Sequence, residues 1–81
     1  MTMFLRLKLM TMSLLEYNFK VEVVFNSSGE HYIDYFSLDQ ADYMRWWLSF
    51  GIKSNGFKAI FVESVSGDRW QWNKLDGWIK Y

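Results

Sequence analysis

The chain has 81 residues, no cysteine, no proline, a single histidine and a formal charge of zero from nine basic and nine acidic side chains. These figures exclude a disulfide framework, a thiolate metal site and a histidine cluster, and they leave no global field that would draw the protein to nucleic acid. What they allow is one domain over 1–81, whose core supplies only a few kcal/mol unless dense packing or oligomerisation adds to it.

The charge that exists is unevenly spread. The segment 1–12 carries +2, 13–50 carries −4 and 51–81 carries +2, a dipolar arrangement. No apolar run reaches the ~18–20 residues that span a bilayer. Arg6 and Lys8 interrupt the apolar start and no small-residue cleavage pattern follows, so no signal peptide and no membrane partner are expected and a cytoplasmic location is the default. Met3, Leu5, Leu7 and Leu9 alternate with Phe4, Arg6, Lys8 and Met10, the period of a half-buried strand. Starts at Met10 or Met12 would leave the later pattern intact, so 1–11 reads as either a first strand or a dispensable leader.

From Glu16 to Phe25 the alternation is cleaner, with Tyr17, Phe19, Val21, Val23 and Phe25 on one face and Glu16, Asn18, Lys20 and Glu22 on the other. Asn26-Ser27-Ser28-Gly29 supplies turn chemistry. Opposed residues of an antiparallel pair share a face, so pairing Phe25 with His31, Val23 with Ile33 and Val21 with Tyr35 keeps apolar residues together. That register implies a connection over 26–30 and a core containing Val21, Val23, Ile33 and Phe61.

Ser37-Leu38-Asp39-Gln40 matches the capping box, which starts a helix near Leu38. Gly51 offers a left-handed residue to end it after Phe50. At ~100° per residue, Ala41, Met44 and Leu48 form one stripe. Tyr43, Trp46 and Phe50 lie nearly opposite, Trp47 falls between, and only Asp42, Arg45 and Ser49 make a polar wedge. A surface helix ordinarily shows one apolar stripe of little more than ~100°. Beyond the helix, Phe57–Val65 is apolar on both faces and suits the middle of a sheet. Ser66-Gly67-Asp68 marks a hairpin, Arg69–Trp72 alternates again, and Asn73–Gly77 turns the chain into Trp78–Tyr81. The expected fold is α+β: a small antiparallel sheet of about four or five strands with one helix on one face, in the order β(β)βαββ.

No catalytic or cofactor signature emerges. His31 has no partner triad and reads as structural or solvent-facing. Asp39 and Asp42 complement the dipole of the first helical turn. Gly51, Gly56, Gly67 and Gly77 stand singly, outside any phosphate-binding loop context. The chain therefore reads as neither an enzyme nor a metal or cofactor protein.

Aromatic surface is the positive signal. Five tryptophans, five tyrosines and seven phenylalanines share this short chain, and each large ring buries roughly 150–250 Å². Tyr43, Trp46, Trp47 and Phe50 are the candidate partner-binding residues, because Trp and Tyr dominate interface hot spots. The partner is another protein, a second copy of the chain, or both. Within the chain, the competing expectation is that Trp70–Tyr81 or the leader folds over the outer stripe. Size, lack of cysteine and lack of chemistry also fit the compositional profile of small inhibitors and adaptors of phages and mobile elements, including anti-defence proteins. The alternative from another class is a single-stranded nucleic-acid binder, in which Lys58, Arg69, Trp70, Trp72, Lys74 and Trp78 offer cations beside stacking platforms. Asp68, Asp76 and Glu63 dilute that field.

Overall fold

The computed structural model describes residues 17–81; the expectations for a strand or leader over 1–11 lie outside them. Among the described residues two strands precede the helix, β1 (Phe19–Phe25) and β2 (His31–Phe36), and three follow it, β3 (Phe57–Ser64), β4 (Arg69–Asn73) and β5 (Gly77–Lys80). The five form one antiparallel sheet in the order β2-β1-β3-β4-β5. Helix α1 (Ala41–Lys53) lies between β2 and β3 in sequence and covers one face of the sheet. The architecture is the expected α+β, with the terminal Gly77–Lys80 segment adding a full strand after the helix.

β3 takes the middle position that its two apolar faces demand, with β1 on one side and β4 on the other. Val21, Val23, Ile60 and Val62 from β1 and β3 meet Met44 and Leu48 of α1 in the core, with Phe36, Phe57 and Trp72 around them. Val21, Val23 and Ile60 are completely buried. At ~1.5–3 kcal/mol per fully buried aliphatic side chain, this layer is the main stabilising element of the domain.

The hairpin register differs from expectation by one residue. Val21 pairs with Asp34, Glu22 with Ile33 and Val23 with Tyr32. The Phe25 amide donates to the Glu30 carbonyl at 2.9 Å and the Gly29 amide to the Phe25 carbonyl at 2.8 Å. The connection therefore closes over 26–29, with Gly29 at φ 75°, one residue shorter than burial alone suggested. Because side chains alternate with period two, that single residue moves all of β2 to the other face. Ile33 is 45% exposed and Tyr35 lies beside it on the outer face, while Tyr32, Asp34 and Phe36 turn toward the helix. Phe61 is also corrected: it pairs with Glu22 on the outer face and is 37% exposed. An irregularity at Val24/Phe25 sets Phe57 opposite Phe25. That shift brings Phe57 onto the same side as Ile60 and Val62, which simple alternation along β3 had separated.

The helix begins through a 3-10 turn over Leu38–Gln40. The glutamine arm of the capping box is formed, with the Ser37 amide donating to Gln40 Oε1 at 2.9 Å. The end differs from expectation. Gly51 lies inside α1, the helix runs on to Lys53, and the left-handed residue is Asn55 at φ 61°. Gly51 is small for a packing reason: a Cβ there would come within 2.5 Å of three ring carbons of Phe57. Among the described residues no helix is long and apolar enough to cross a membrane.

Candidate interaction surface

Helical periodicity divides α1 as its sequence implies. Met44, Leu48 and Gly51 are buried against the sheet. Trp47 is half-buried beside them, with its ring centroid 5.4 Å from Phe57 and 6.1 Å from both Phe36 and Tyr32. Of the four candidate partner-binding residues, Trp47 is thus the one tied to the core, and it forms a wall rather than an open platform.

The other three face outward. Tyr43 is 57% exposed, Trp46 58% and Phe50 57%. Their spacing of three and four residues places the rings one above another along the helix. Tyr43 and Trp46 stack at 5.8 Å with an interplanar angle of 30°, and Trp46 and Phe50 at 5.6 Å and 15°. The result is a continuous aromatic ladder on the side of the helix away from the sheet. Neither Trp70 nor any other residue of β4 or β5 crosses it: these strands lie in the sheet, under the opposite flank of α1. The expectation that the C-terminal segment covers the ladder is overturned, and the expectation that the leader does so lies outside the described residues.

The helix is flanked by two apolar grooves. One, of about 400 Å³, runs between α1 and β2; its floor is Phe25, Tyr32, Phe36 and Phe57 and its walls include Trp47 and Phe50. The other, of about 370 Å³, lies toward β4 and β5, where Phe19, Met44, Trp70 and Trp78 meet Arg45 and Ser49. Tyr43 and Phe50 border the first groove, so ladder and groove form one aromatic surface along the β2 edge. Its polar side chains include Asp34 and Tyr32. Asp34 Oδ1 accepts from the Tyr35 amide at 2.8 Å, and the Tyr32 hydroxyl lies 3.4 Å from Asp34 Oδ2. Burial first, and then the charge of Asp34, hold the Tyr32 phenol above its ordinary pKa of 10.0. The polar wedge closes on itself, with Arg45 donating to Asp42 at 2.6 Å on the exposed helix surface.

The six candidate nucleic-acid residues do not assemble into one platform. Trp72 is only 9% exposed and belongs to the core, and Trp70 is packed against it. Trp78 is opposite Trp72 on the helix side of the sheet. Arg69, paired with Glu63, projects from the other face, and Lys74 sits in the β4–β5 turn. Lys58 is exposed at the start of β3. Among the described residues, the cation that does meet an aromatic is Lys80, whose Nζ lies 5.4 Å from the Trp70 ring and 3.7 Å from Asp68. Lys80 lies opposite Trp70 through the pairing of β4 with β5 and is not one of the six candidate residues.

His31 pairs with Glu22 on the outer face, with Nδ1 2.6 Å from Oε2, both groups reached by solvent. Among the described residues, no three His, Asp or Glu side chains gather as metal ligands would. Sequence reasoning also missed Phe25, Tyr32 and Asp34 as groove residues. The signal for them was the hairpin register, which placed Tyr32 and Asp34 on the wrong face. No protein-family model, no curated protein and no solved structure matches the chain.

Proposed function

We propose that the protein is a small non-enzymatic interaction module that docks a partner protein on the Tyr43/Trp46/Phe50 ladder of α1, with Trp47 walling the adjoining groove. The observation that carries this reading is the ladder itself: three large rings are stacked and each more than half exposed, with most of their surface outside the core although Tyr43 also meets Phe36 at 6.3 Å. Contiguous exposed apolar surface of this kind marks interaction sites, and rigid aromatic rings are their usual anchors. A cytoplasmic inhibitor or adaptor of the phage and mobile-element type is the setting that size and composition fit.

The test is affinity capture with the full chain from host extract, comparing the native protein with Trp46→Ala and with Leu75→Ala in the distant β4–β5 turn. A hot-spot truncation costs ~2 kcal/mol or more, so Trp46→Ala should weaken retention by a factor of tens while Leu75→Ala retains the same protein. Retention should also persist in high salt. Binding that collapses with ionic strength would point instead to counterion release from a nucleic acid. Equal retention by native and Trp46→Ala protein would remove the ladder from the site.

A further inference from the structure

Among the described residues the sheet has two outer strands, and they are unlike. β5 is four residues long and ends in Lys80, a charge that discourages edge-to-edge pairing. β2 is six residues, His31-Tyr32-Ile33-Asp34-Tyr35-Phe36, with neither lysine nor proline. The carbonyls of Glu30 and Phe36 accept from β1, at 2.9 Å from the Phe25 amide and 2.8 Å from the Asn18 amide. By the alternation of an antiparallel ladder, the backbone groups of His31, Ile33 and Tyr35 therefore point away from the sheet. Among the described residues no strand pairs with them. One of these groups, the Tyr35 amide, is held by Asp34 Oδ1.

We propose that the outer edge of β2 pairs antiparallel with the same edge of a second copy, across a two-fold axis at Ile33. Charge selects both the occupant and the register. Centring the pair on Asp34 would set two carboxylates face to face, and centring it on Tyr32 would set Glu30 against the partner's Asp34. Like charges directly opposed destabilise a sheet. Centred on Ile33, Asp34 faces the partner's Tyr32, a hydroxyl donor, and His31 faces the partner's Tyr35. This register also brings all three outward-pointing residues into hydrogen-bonded pairs, and the Tyr35 amide exchanges Asp34 for the partner's His31 carbonyl. Ile33 and Tyr35, 45% and 46% exposed on the outer face, lie against their counterparts.

Two sheets become one of ten strands. The groove between α1 and β2 opens toward the axis, so the two grooves merge into one trough with an aromatic ladder on each bank. Such an interface is self-complementary, as a two-fold contact must be. With one six-residue strand contributed by each copy, the contact belongs at the small end of specific interfaces, below ~1,200 Å², so association is a property of concentrated solution. The pairing stands on the β2 edge alone and does not depend on the ladder being a docking site.

The experiment is sedimentation equilibrium and backbone amide exchange on the full chain up to millimolar concentration. It uses native protein, Ile33→Pro, Ile33→Lys and Trp46→Ala. The proposal expects a concentration-dependent dimer in which the His31, Ile33 and Tyr35 amides gain protection together. Proline is tolerated on an edge whose N–H faces outward, so Ile33→Pro should keep the fold and weaken dimerisation at least tenfold. Ile33→Lys should do the same, and Trp46→Ala should leave dimerisation unchanged. In a chain without native cysteine, mild oxidation of Ile33→Cys should give a disulfide-linked dimer that Leu75→Cys does not, since Cα atoms ~5.5 Å apart suit a disulfide. A monomer throughout would overturn the pairing. So would a dimer lost in Trp46→Ala but kept in both Ile33 variants, or edge amides already protected in the monomer, which would show that another part of the chain occupies the edge.

Discussion

Replacing Gly51 with alanine separates two explanations of one residue. In a helix interior, alanine is favoured over glycine by ~0.8–1.0 kcal/mol, so a glycine kept there for no packing reason should give a more stable protein when replaced. Here the new methyl would fall within 2.5 Å of three carbons of the Phe57 ring. That ring is 4% exposed and cannot retreat freely, because Phe25 lies 5.8 Å and Trp47 5.4 Å from its centroid. Overpacking a core costs ~1–3 kcal/mol, and an overlap this deep belongs at the upper end. Set against the helix preference, the net loss is ~2 kcal/mol. For a domain of this size that is a fall in Tm of roughly 8–16 °C. Denaturant unfolding followed by tryptophan fluorescence measures it directly, and Gly51→Ala combined with Phe57→Leu should recover part of the loss. A Gly51→Ala protein as stable as the native chain, or more so, would refute the packing account of α1 against β3.

Two further predictions follow from the sheet. Val23→Asp places an unpaired charge at a completely buried position and should abolish folding, whereas Ile33→Asp, on the exposed face of an edge strand, should leave a folded monomer; NMR dispersion of both variants checks the register, and loss of folding in both would restore the expected one. The raised phenol pKa of Tyr32 means the folded state favours the protonated ring. Its contribution is fully present below pH ~10 and is lost as pH rises through the folded pKa. Tyr32→Phe should therefore flatten the alkaline limb of a stability profile.

The elements were legible because their signals are local and strong. Alternation in Val21–Phe25, the Ser37–Gln40 box, the double-faced apolarity of β3 and the glycine turns each specify an element without reference to the rest. The divided helix was legible for the same reason, since angular position follows from spacing alone, and the exposure of Tyr43, Trp46 and Phe50 agrees with it. What failed depended on energies too close to separate by inspection. β2 carries large apolar side chains on both faces and sits at an edge where neither is fully covered, so burial barely discriminates between registers, and the four-residue turn decides. Phe57 changed face through an irregularity opposite Val24/Phe25, which no periodicity announces. Gly51 was read as a terminator because its close neighbour, Phe57, belongs to the next strand. The spread of Arg69, Trp70 and Trp72 over two faces of β4 follows from the alternation legible in Arg69–Trp72, which grouping these residues by composition as a nucleic-acid platform does not use.

The central claim is that the aromatic ladder is maintained for association and not for folding. Its most direct test is the unfolding free energy of Trp46→Ala in the full chain. Surface pairs three and four residues apart contribute ~0.2–0.5 kcal/mol each, and alanine's higher helix propensity offsets part of that. The predicted change is within ~0.5 kcal/mol of zero for a tryptophan that is 58% exposed. A loss of the ~3–5 kcal/mol that removing a core tryptophan costs would place the ring in the folded interior and contradict the account.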